Sequence, residues 1–154
     1  MSKINNKIEY ATEMDLDIPA QKVWDVFKTF SRIQDWHPAT ENANLLVGKD
    51  GEPLAVREFQ LKGGGFVISE LLDYDETGRW FRYRIIKSSL PLRNYVGEMH
   101  VVEKDEGGTK VTWSATFQHP TLDKATAAEN DETLALIKGV FQSGMDNIKI
   151  LASA

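Results

Sequence analysis

Residues 109–152 read TKVTWSATFQHPTLDKATAAENDETLALIKGVFQSGMDNIKILA, and the hydrophobic period changes within this stretch. Apolar residues first occupy every second position, as in a strand with one buried face, at Val111, Trp113, Ala115 and Phe117. After Pro120 they recur at the spacing of an amphipathic helix, at Leu134, Ile137, Val140, Phe141, Gly144, Ile148 and Leu151. The stretch therefore predicts a strand followed by one long helix from about Asp131 to Ala152. High helix propensity from Ala125 to Glu129 leaves an earlier start open.

The strand pattern recurs upstream, between short segments rich in Gly, Pro and Asp that predict tight turns. Six further strands are predicted, at Ile8–Ile18, Asn42–Val47, Leu54–Leu61, Phe66–Asp73, Arg79–Lys87 and Tyr95–Lys104. After the first strand, the spacing from Pro19 predicts a short helix ending near Phe30, and Ser31–Pro38 forms a turn or a second short helix. Short hairpins make an antiparallel meander. We therefore predict one α+β domain over residues 1–154, with a seven-stranded sheet that curls around the C-terminal helix.

The composition excludes several classes of function. The 154 residues carry 18 Lys and Arg against 23 Asp and Glu, a net charge of −5, which disfavours nucleic acid as a partner. The absence of cysteine excludes thiolate catalysis and Cys-based metal sites. His37, His100 and His119 are scattered, and we expect no metal and no cofactor. Residues 1–7 lack the apolar run of a signal peptide, so we expect a cytoplasmic protein without membrane insertion, either monomer or dimer.

Several short motifs follow one another in a characteristic order, and they are Asp17-Ile18-Pro19-Ala20, Trp36-His37-Pro38, Val56-Arg57-Glu58, Glu70-Leu71-Leu72, Val111-Thr112-Trp113 and Gly144-Met145-Asp146-Asn147-Ile148-Lys149. Together, from Ile8 to Ala152, they resemble the polyketide cyclase/dehydrase and lipid-transport branch of the START/Bet v 1-like (SRPBCC) superfamily. The resemblance implies a helix-grip fold with an internal cavity for apolar small molecules. It implies no single chemistry, since relatives include hormone receptors, lipid carriers and cyclases.

The hairpins predict which side chains share the inner face of the sheet. If Leu61 pairs with Phe66 across the Gly-rich turn, Arg57 lies opposite Glu70, because opposed residues face the same side. Continuing through the later hairpins gives one inner row, which reads Arg57, Glu70, Tyr83, Gly97 and Ala115.

Two of these residues are very small and, with Gly144 on the facing helix, leave volume that a packed interior normally fills. We therefore predict a ligand-binding cavity in this row, with walls formed by Phe59, Phe66, Phe81, Tyr83, Tyr95, Met99, Trp113, Phe117, Val140 and Phe141. The alternative is that bulky neighbours collapse into the gap. The prediction depends on register, since a slip of one residue turns the side chains outward.

Glu70 and His37 are the candidate catalytic residues, and both are candidate ligand contacts. A buried carboxylate needs a partner, so Glu70 and Arg57 either neutralise each other or leave Glu70 to hold a ligand hydroxyl. The likeness to plant hormone receptors implies that His37, Glu70 and Tyr95 line the pocket. It also implies a lysine at position 37 and a carboxylate at position 115, which this chain lacks. Lys62–Gly65 lacks the ending of a phosphate-binding loop, and either a mobile flap or a plain hairpin fits it.

Three functions fit these features. The first is binding or carriage of a small apolar molecule with one or two polar groups. The second is a cyclase or dehydratase that acts on a polyketide-like or enolisable substrate, in which Glu70 or His37 moves a proton. Since Arg57 beside Glu70 would keep its carboxylate ionised, the sequence favours binding over catalysis. A third, minor hypothesis is an accessory protein that acts through partners.

Overall fold

The computed structural model describes residues 7–154. This part of the chain forms seven strands, β1 (Ile8–Leu16), β2 (Thr40–Val47), β3 (Val56–Leu61), β4 (Phe66–Asp75), β5 (Trp80–Ser88), β6 (Arg93–Glu103) and β7 (Thr109–Gln118). It also forms two α-helices, α1 (Ala20–Phe27) and α2 (Ala127–Ser153), and three short 3₁₀ segments at Phe30–Asp35, Asp105–Gly107 and Leu122–Lys124. The prediction that the chain lacks a signal peptide rests mainly on residues 1–6, which lie outside the described residues.

The strands form one open antiparallel sheet in the order β1-β7-β6-β5-β4-β3-β2. The strands β2 to β7 are neighbours in chain order, and β1, the first strand of the chain, pairs with β7 at the opposite edge from β2. This confirms the predicted α+β fold, a seven-stranded sheet gripping a long C-terminal helix. No helix within residues 7–154 is both long and apolar enough to cross a bilayer.

Local signals explain where the elements begin and end. α2 begins at Ala127, four residues before the predicted Asp131, because Thr126 and Glu129 form a capping box. The Glu129 N–H donates to the Thr126 side chain at 3.1 Å, and the Thr126 N–H donates to the Glu129 carboxylate at 3.0 Å. β3 begins at Val56 and not at the predicted Leu54, since Leu54 has a φ of +73°, which a strand does not accommodate.

The core lies between the inner face of the sheet and the two helices. Trp24 and Phe27 of α1 are fully buried, and the apolar stripe of α2 packs on β7 and β1. There Phe141 stacks on Trp113 at 4.0 Å between ring centroids and contacts Tyr10 at 5.6 Å. α2 therefore fills the β1–β7 half of the concave face.

The register of β4 differs by one residue from the prediction. The Gly-rich turn is a five-residue loop in which the Leu61 N–H donates to the Gly65 carbonyl at 3.0 Å, so Phe66 lies opposite Gln60. Arg57 consequently lies opposite Ser69, and Glu70 faces the outer side of the sheet. The predicted pairing of Arg57 with Glu70 is wrong.

A second irregularity, between Leu71 and Asp73, compensates for this shift. The strands that follow keep the predicted parity: Tyr83 lies opposite Gly97, and Gly97 lies opposite Ala115. The inversion therefore covers β4 from Phe66 to Leu71, whereas Tyr74, beyond the irregularity, lies opposite Phe81 and keeps its predicted side.

Candidate functional site

A cavity of about 80 Å³ lies between the β3–β5 side of the sheet, α2 and the loop that contains His37. Its buried lining residues define the inner end. Seven of them carry a polar side-chain group, namely His37, Thr40, Arg57, Ser69, Tyr83, Tyr95 and Trp113, and four are apolar, namely Ile33, Phe59, Val67 and Ile137. Its partly or fully exposed lining residues define the opening, and they are Ala39, Leu61, Ile85, Leu90 and Val140. The cavity is therefore apolar at the opening and carries its polar groups at the inner end.

Arg57 is the most unusual of these groups, because its guanidinium is buried and has no carboxylate partner among the described residues. Only 4% of the residue is exposed, and no carboxylate within residues 7–154 lies within ion-pair distance of it. Nη1 donates to the Phe30 carbonyl at 2.8 Å, and the guanidinium carbon lies 3.9 Å above the Phe30 ring. Nε has no hydrogen-bond partner in the part of the chain that the structure describes. Burial lowers the pKa of Arg57 to about 10, so the side chain remains a cation at neutral pH.

Ser69 lies opposite Arg57 on β4 and is also buried, with 1% of its surface exposed. Its hydroxyl has no hydrogen-bond partner in the described chain. Most buried polar side chains in proteins are satisfied, so two unsatisfied groups on one cavity wall are a notable exception.

A hydrogen-bonded relay of three aromatic side chains closes the inner end. Trp113 Nε1 donates to the Tyr83 hydroxyl at 3.0 Å, and the Tyr83 and Tyr95 hydroxyls are 2.7 Å apart. Only one of the two hydroxyl hydrogens can lie between the two oxygens, so the other hydroxyl hydrogen has no acceptor within the relay. Burial raises the pKa of both tyrosines, and Tyr95 is raised the further, so both hydroxyls keep their protons.

His37 lines the cavity, but both of its ring nitrogens are engaged. Nε2 lies 2.9 Å from the Val140 carbonyl of α2, and Nδ1 accepts from the Ala39 N–H at 3.2 Å. This arrangement requires the neutral ring with its proton on Nε2. Burial, and secondly the charge of Arg57, lower the pKa of His37, which favours the same neutral form. His37 thus ties its loop to α2 and has no nitrogen free for a ligand.

The three histidines lie apart from one another. His100 stacks on Trp80 with ring centroids 5.4 Å apart and contacts Glu98 at 3.0 Å, while His119 contacts Thr121 at 2.8 Å. Within residues 7–154, no group of three or more His, Asp or Glu side chains could hold a metal ion.

The structure brings together only part of the predicted site. Seven of the predicted residues line the cavity: His37, Arg57, Phe59, Tyr83, Tyr95, Trp113 and Val140. The inverted register removes Glu70 and Phe66, which face the other side of the sheet, and Glu70 there bonds Arg84 at 2.8 Å. Four aromatic or Met side chains belong instead to the filled core, namely Phe81, Met99, Phe117 and Phe141.

The volume predicted beside the small residues is filled. A Cβ at Gly97 would lie 2.7 Å from the Tyr83 ring, and one at Gly144 would lie 2.7 Å from the Trp113 ring. Ala115 is buried, and like these glycines it does not line the cavity. Aromatic rings therefore occupy the space that the sequence assigned to a ligand, and the cavity lies nearer the β3–β4 loop.

Sequence reasoning missed several lining residues. Ser69 was assigned to the outer face by the inverted parity of β4, while Ile85, Leu90 and Ile137 were not considered as lining residues. Because β4 is apolar on both faces, its sequence pattern contains no signal that would have identified Ser69.

A family model described as polyketide cyclase / dehydrase and lipid transport matches residues 7–152. The fold is similar to that of the protein XoxI from Bacillus cereus, with 23% identity, 92% of each chain covered and a TM-score of 0.79. It is also similar to a putative uncharacterized protein from Bacillus thuringiensis, with 22% identity, 96% of this chain and 100% of that chain covered, and a TM-score of 0.81. A third similar structure is that of a protein from Thermobifida fusca, with 24% identity, 92% of this chain and 90% of that chain covered, and a TM-score of 0.77. No curated protein matches the sequence significantly. At these identities the likeness to solved structures concerns the fold alone.

Proposed function

The chain belongs to the polyketide cyclase/dehydrase and lipid transport family, and from this premise we propose that it binds a small apolar molecule with one or two polar groups in the cavity beneath α2. One observation carries the proposal. The buried side chains of Arg57 and Ser69 line the cavity, and each has a polar atom without a hydrogen-bond partner in residues 7–154. A bound molecule with a polar group would satisfy them, since ligand sites combine apolar walls with a few convergent polar groups.

The size of the cavity limits what it accepts in this conformation. At about 80 Å³ it is smaller than the roughly 300–1,000 Å³ of sites for drug-sized ligands. It accommodates a polar group and a few carbon atoms, and the rest of a longer molecule would extend past Leu61 and Leu90 at the opening. Beside the opening, a Cβ placed on Gly63 or Gly64 would meet no atom within 4 Å, so this loop is not held by packing there.

The competing hypothesis, a cyclase or dehydratase, requires a proton carrier in the cavity. Glu70 faces away from it, and His37 uses both nitrogens to hold its loop. The pKa values of Tyr83 and Tyr95 are raised by burial, so neither hydroxyl is a base at neutral pH. The geometry therefore favours binding over acid–base catalysis.

The test is an NMR titration of the ¹⁵N-labelled protein with 1-hexanol, a neutral amphiphile, followed through its amide signals. Ile137 of α2 is buried in the cavity lining, and Ala135 is exposed on the same helix. We expect 1-hexanol to shift the signals of the lining residues in the wild type and in Ala135→Phe, but not in Ile137→Phe, whose larger ring fills the cavity. Shifts scattered over the surface, or shifts that persist in a folded Ile137→Phe variant, would show that the cavity is not the binding site.

A further inference from the structure

We propose that the polar group of the ligand is a carboxylate, bound at the inner end of the cavity between Nε of Arg57 and the hydroxyl of Ser69. The proposal rests on the binding function proposed above and adds the chemical class of the ligand. It makes the molecule an apolar organic acid that enters with its charged end first.

The charge of Arg57 is the first reason to expect a carboxylate. A buried cation is stable only when it is paired or well hydrogen-bonded, and Arg57 has one carbonyl and the faces of aromatic rings. The carboxylate of Asp50 raises the pKa of Arg57 only slightly and forms no ion pair with it. It hydrogen-bonds the backbone N–H and the hydroxyl of Ser31 at 2.8 and 2.7 Å. A ligand carboxylate would supply the counterion that the described chain does not.

The second reason is the balance of hydrogen-bond donors and acceptors. Nε of Arg57 is a donor only, the Ser69 hydroxyl can donate, and the relay of Tyr83, Tyr95 and Trp113 has one hydroxyl hydrogen in excess. An ionised carboxylate accepts hydrogen bonds and donates none. It therefore matches this surplus of donors, and its charge strengthens each bond.

The third reason is the direction of the cavity. The donors lie at the buried end, and the residues of the opening, among them Leu61, Ile85 and Leu90, are aliphatic. The small volume fits a carboxylate and the first carbons of a chain. An apolar acid bound in this direction buries its carboxylate and first carbons, and the rest of its tail lies against the aliphatic side chains of the opening.

The experiment compares hexanoate with 1-hexanol, which differ only in the end group, in the NMR titration at neutral pH. We expect hexanoate to bind the wild type about tenfold more tightly or better, because a charge-assisted bond to a buried cation contributes about that factor or more. Arg57→Met should remove this preference, because hexanoate loses more affinity than 1-hexanol, which carries no charge to pair with the guanidinium. The matched control is Arg84→Met, which loses the same charge on the outer face and should retain the preference.

Each failure has a separate meaning. Equal affinity of the wild type for hexanoate and 1-hexanol would overturn the carboxylate and leave cavity binding intact, whereas no binding of either would overturn both proposals. If Arg57→Met and Arg84→Met lower the affinity for hexanoate equally, the carboxylate site would also be overturned, since the loss would then reflect net charge alone. If Arg57→Met does not fold, Ser69→Ala decides: a loss of affinity that is several-fold larger for hexanoate than for 1-hexanol supports the site, and an equal loss or no loss contradicts it.

Discussion

Gly144 of α2 lies so close to Trp113 of β7 that a Cβ at position 144 would be 2.7 Å from Cζ3 of the indole. The same Cβ would lie 2.9 Å from the His37 ring and 3.1 Å from the Trp36 ring. Trp113 cannot easily move away, because Phe141 stacks on it and its Nε1 donates to Tyr83. The close approach of helix and sheet therefore depends on the missing side chain.

Gly144→Ala should consequently lower the free energy of unfolding by about 1–3 kcal/mol, the usual cost of overpacking a core. The matched control is Gly139→Ala on the same helix, where a Cβ meets no atom within 4 Å. Replacing glycine there should raise stability by about 0.5–1 kcal/mol, because alanine is the better helix former. Urea unfolding followed by circular dichroism measures both, and stabilisation by both substitutions would contradict the packing argument.

The buried, neutral His37 makes stability depend on pH. Its pKa is lowered in the folded protein by burial and by Arg57, so the unfolded chain binds more protons as the pH falls. Its contribution is fully present above the unfolded pKa of about 6.5 and is lost as the pH falls from there toward the folded value. We expect unfolding free energies between pH values of about 7.5 and 5 to decrease more in the wild type than in His37→Gln.

The surface histidine His100 supplies the control for this measurement, because it lies on the outer face against Trp80. His100→Gln should retain the pH dependence that His37→Gln removes. Parallel stability curves for the wild type and His37→Gln would mean that the ring is not held neutral in the folded state.

The sequence predicted the fold and most of the inner face because most strands alternate strictly. In β5, β6 and β7 only one parity is apolar enough to be buried, so the pairs of Tyr83 with Gly97 and of Gly97 with Ala115 follow from short turns. β4 reads FVISELLDYD and is apolar on both faces, so its pattern does not determine which face is buried. The loop length then decides, and three consecutive glycines with positive φ permit a loop longer by one residue.

The location of the cavity could not be predicted from residue size alone. Gly97 and Gly144 do leave space on the inner face, but a sequence does not specify which neighbouring ring crosses it. Tyr83 and Trp113 lie over these two positions, and the hydrogen bond between them holds both rings there. The remaining space lies where Arg57 and Ser69 face each other, a pairing that depends on the register of β4.

Glu76 stabilises the packing of α1 through two neutral donors. Its carboxylate accepts from Trp24 Nε1 at 2.6 Å and from the Tyr74 hydroxyl at 2.7 Å. The hydrogen bond from Tyr74, the one from Trp24 and the charge of Lys28 lower the pKa of Glu76. Glu76→Ala leaves the buried indole N–H without an acceptor and should cost about 1–3 kcal/mol of stability. Glu103→Ala, which removes only an exposed ion pair with Arg79, should cost at most about 1 kcal/mol. Equal losses in thermal unfolding would contradict a special role for Glu76.

Glu70 tests the corrected register directly, because sequence parity placed it in the cavity and the structure places it outside. Its carboxylate bonds Arg84 at 2.8 Å on the outer face, where half of the arginine side chain is exposed. Only 16% of the Glu70 side chain is exposed, but Gln retains an oxygen that can accept from Arg84, so Glu70→Gln should cost about 1–2 kcal/mol of stability. It should leave the dissociation constants of hexanoate and 1-hexanol unchanged in the NMR titration. A several-fold change in either dissociation constant would place Glu70 at the cavity. It would then favour the β4 register predicted from the sequence, in which Glu70 is the carboxylate partner of Arg57.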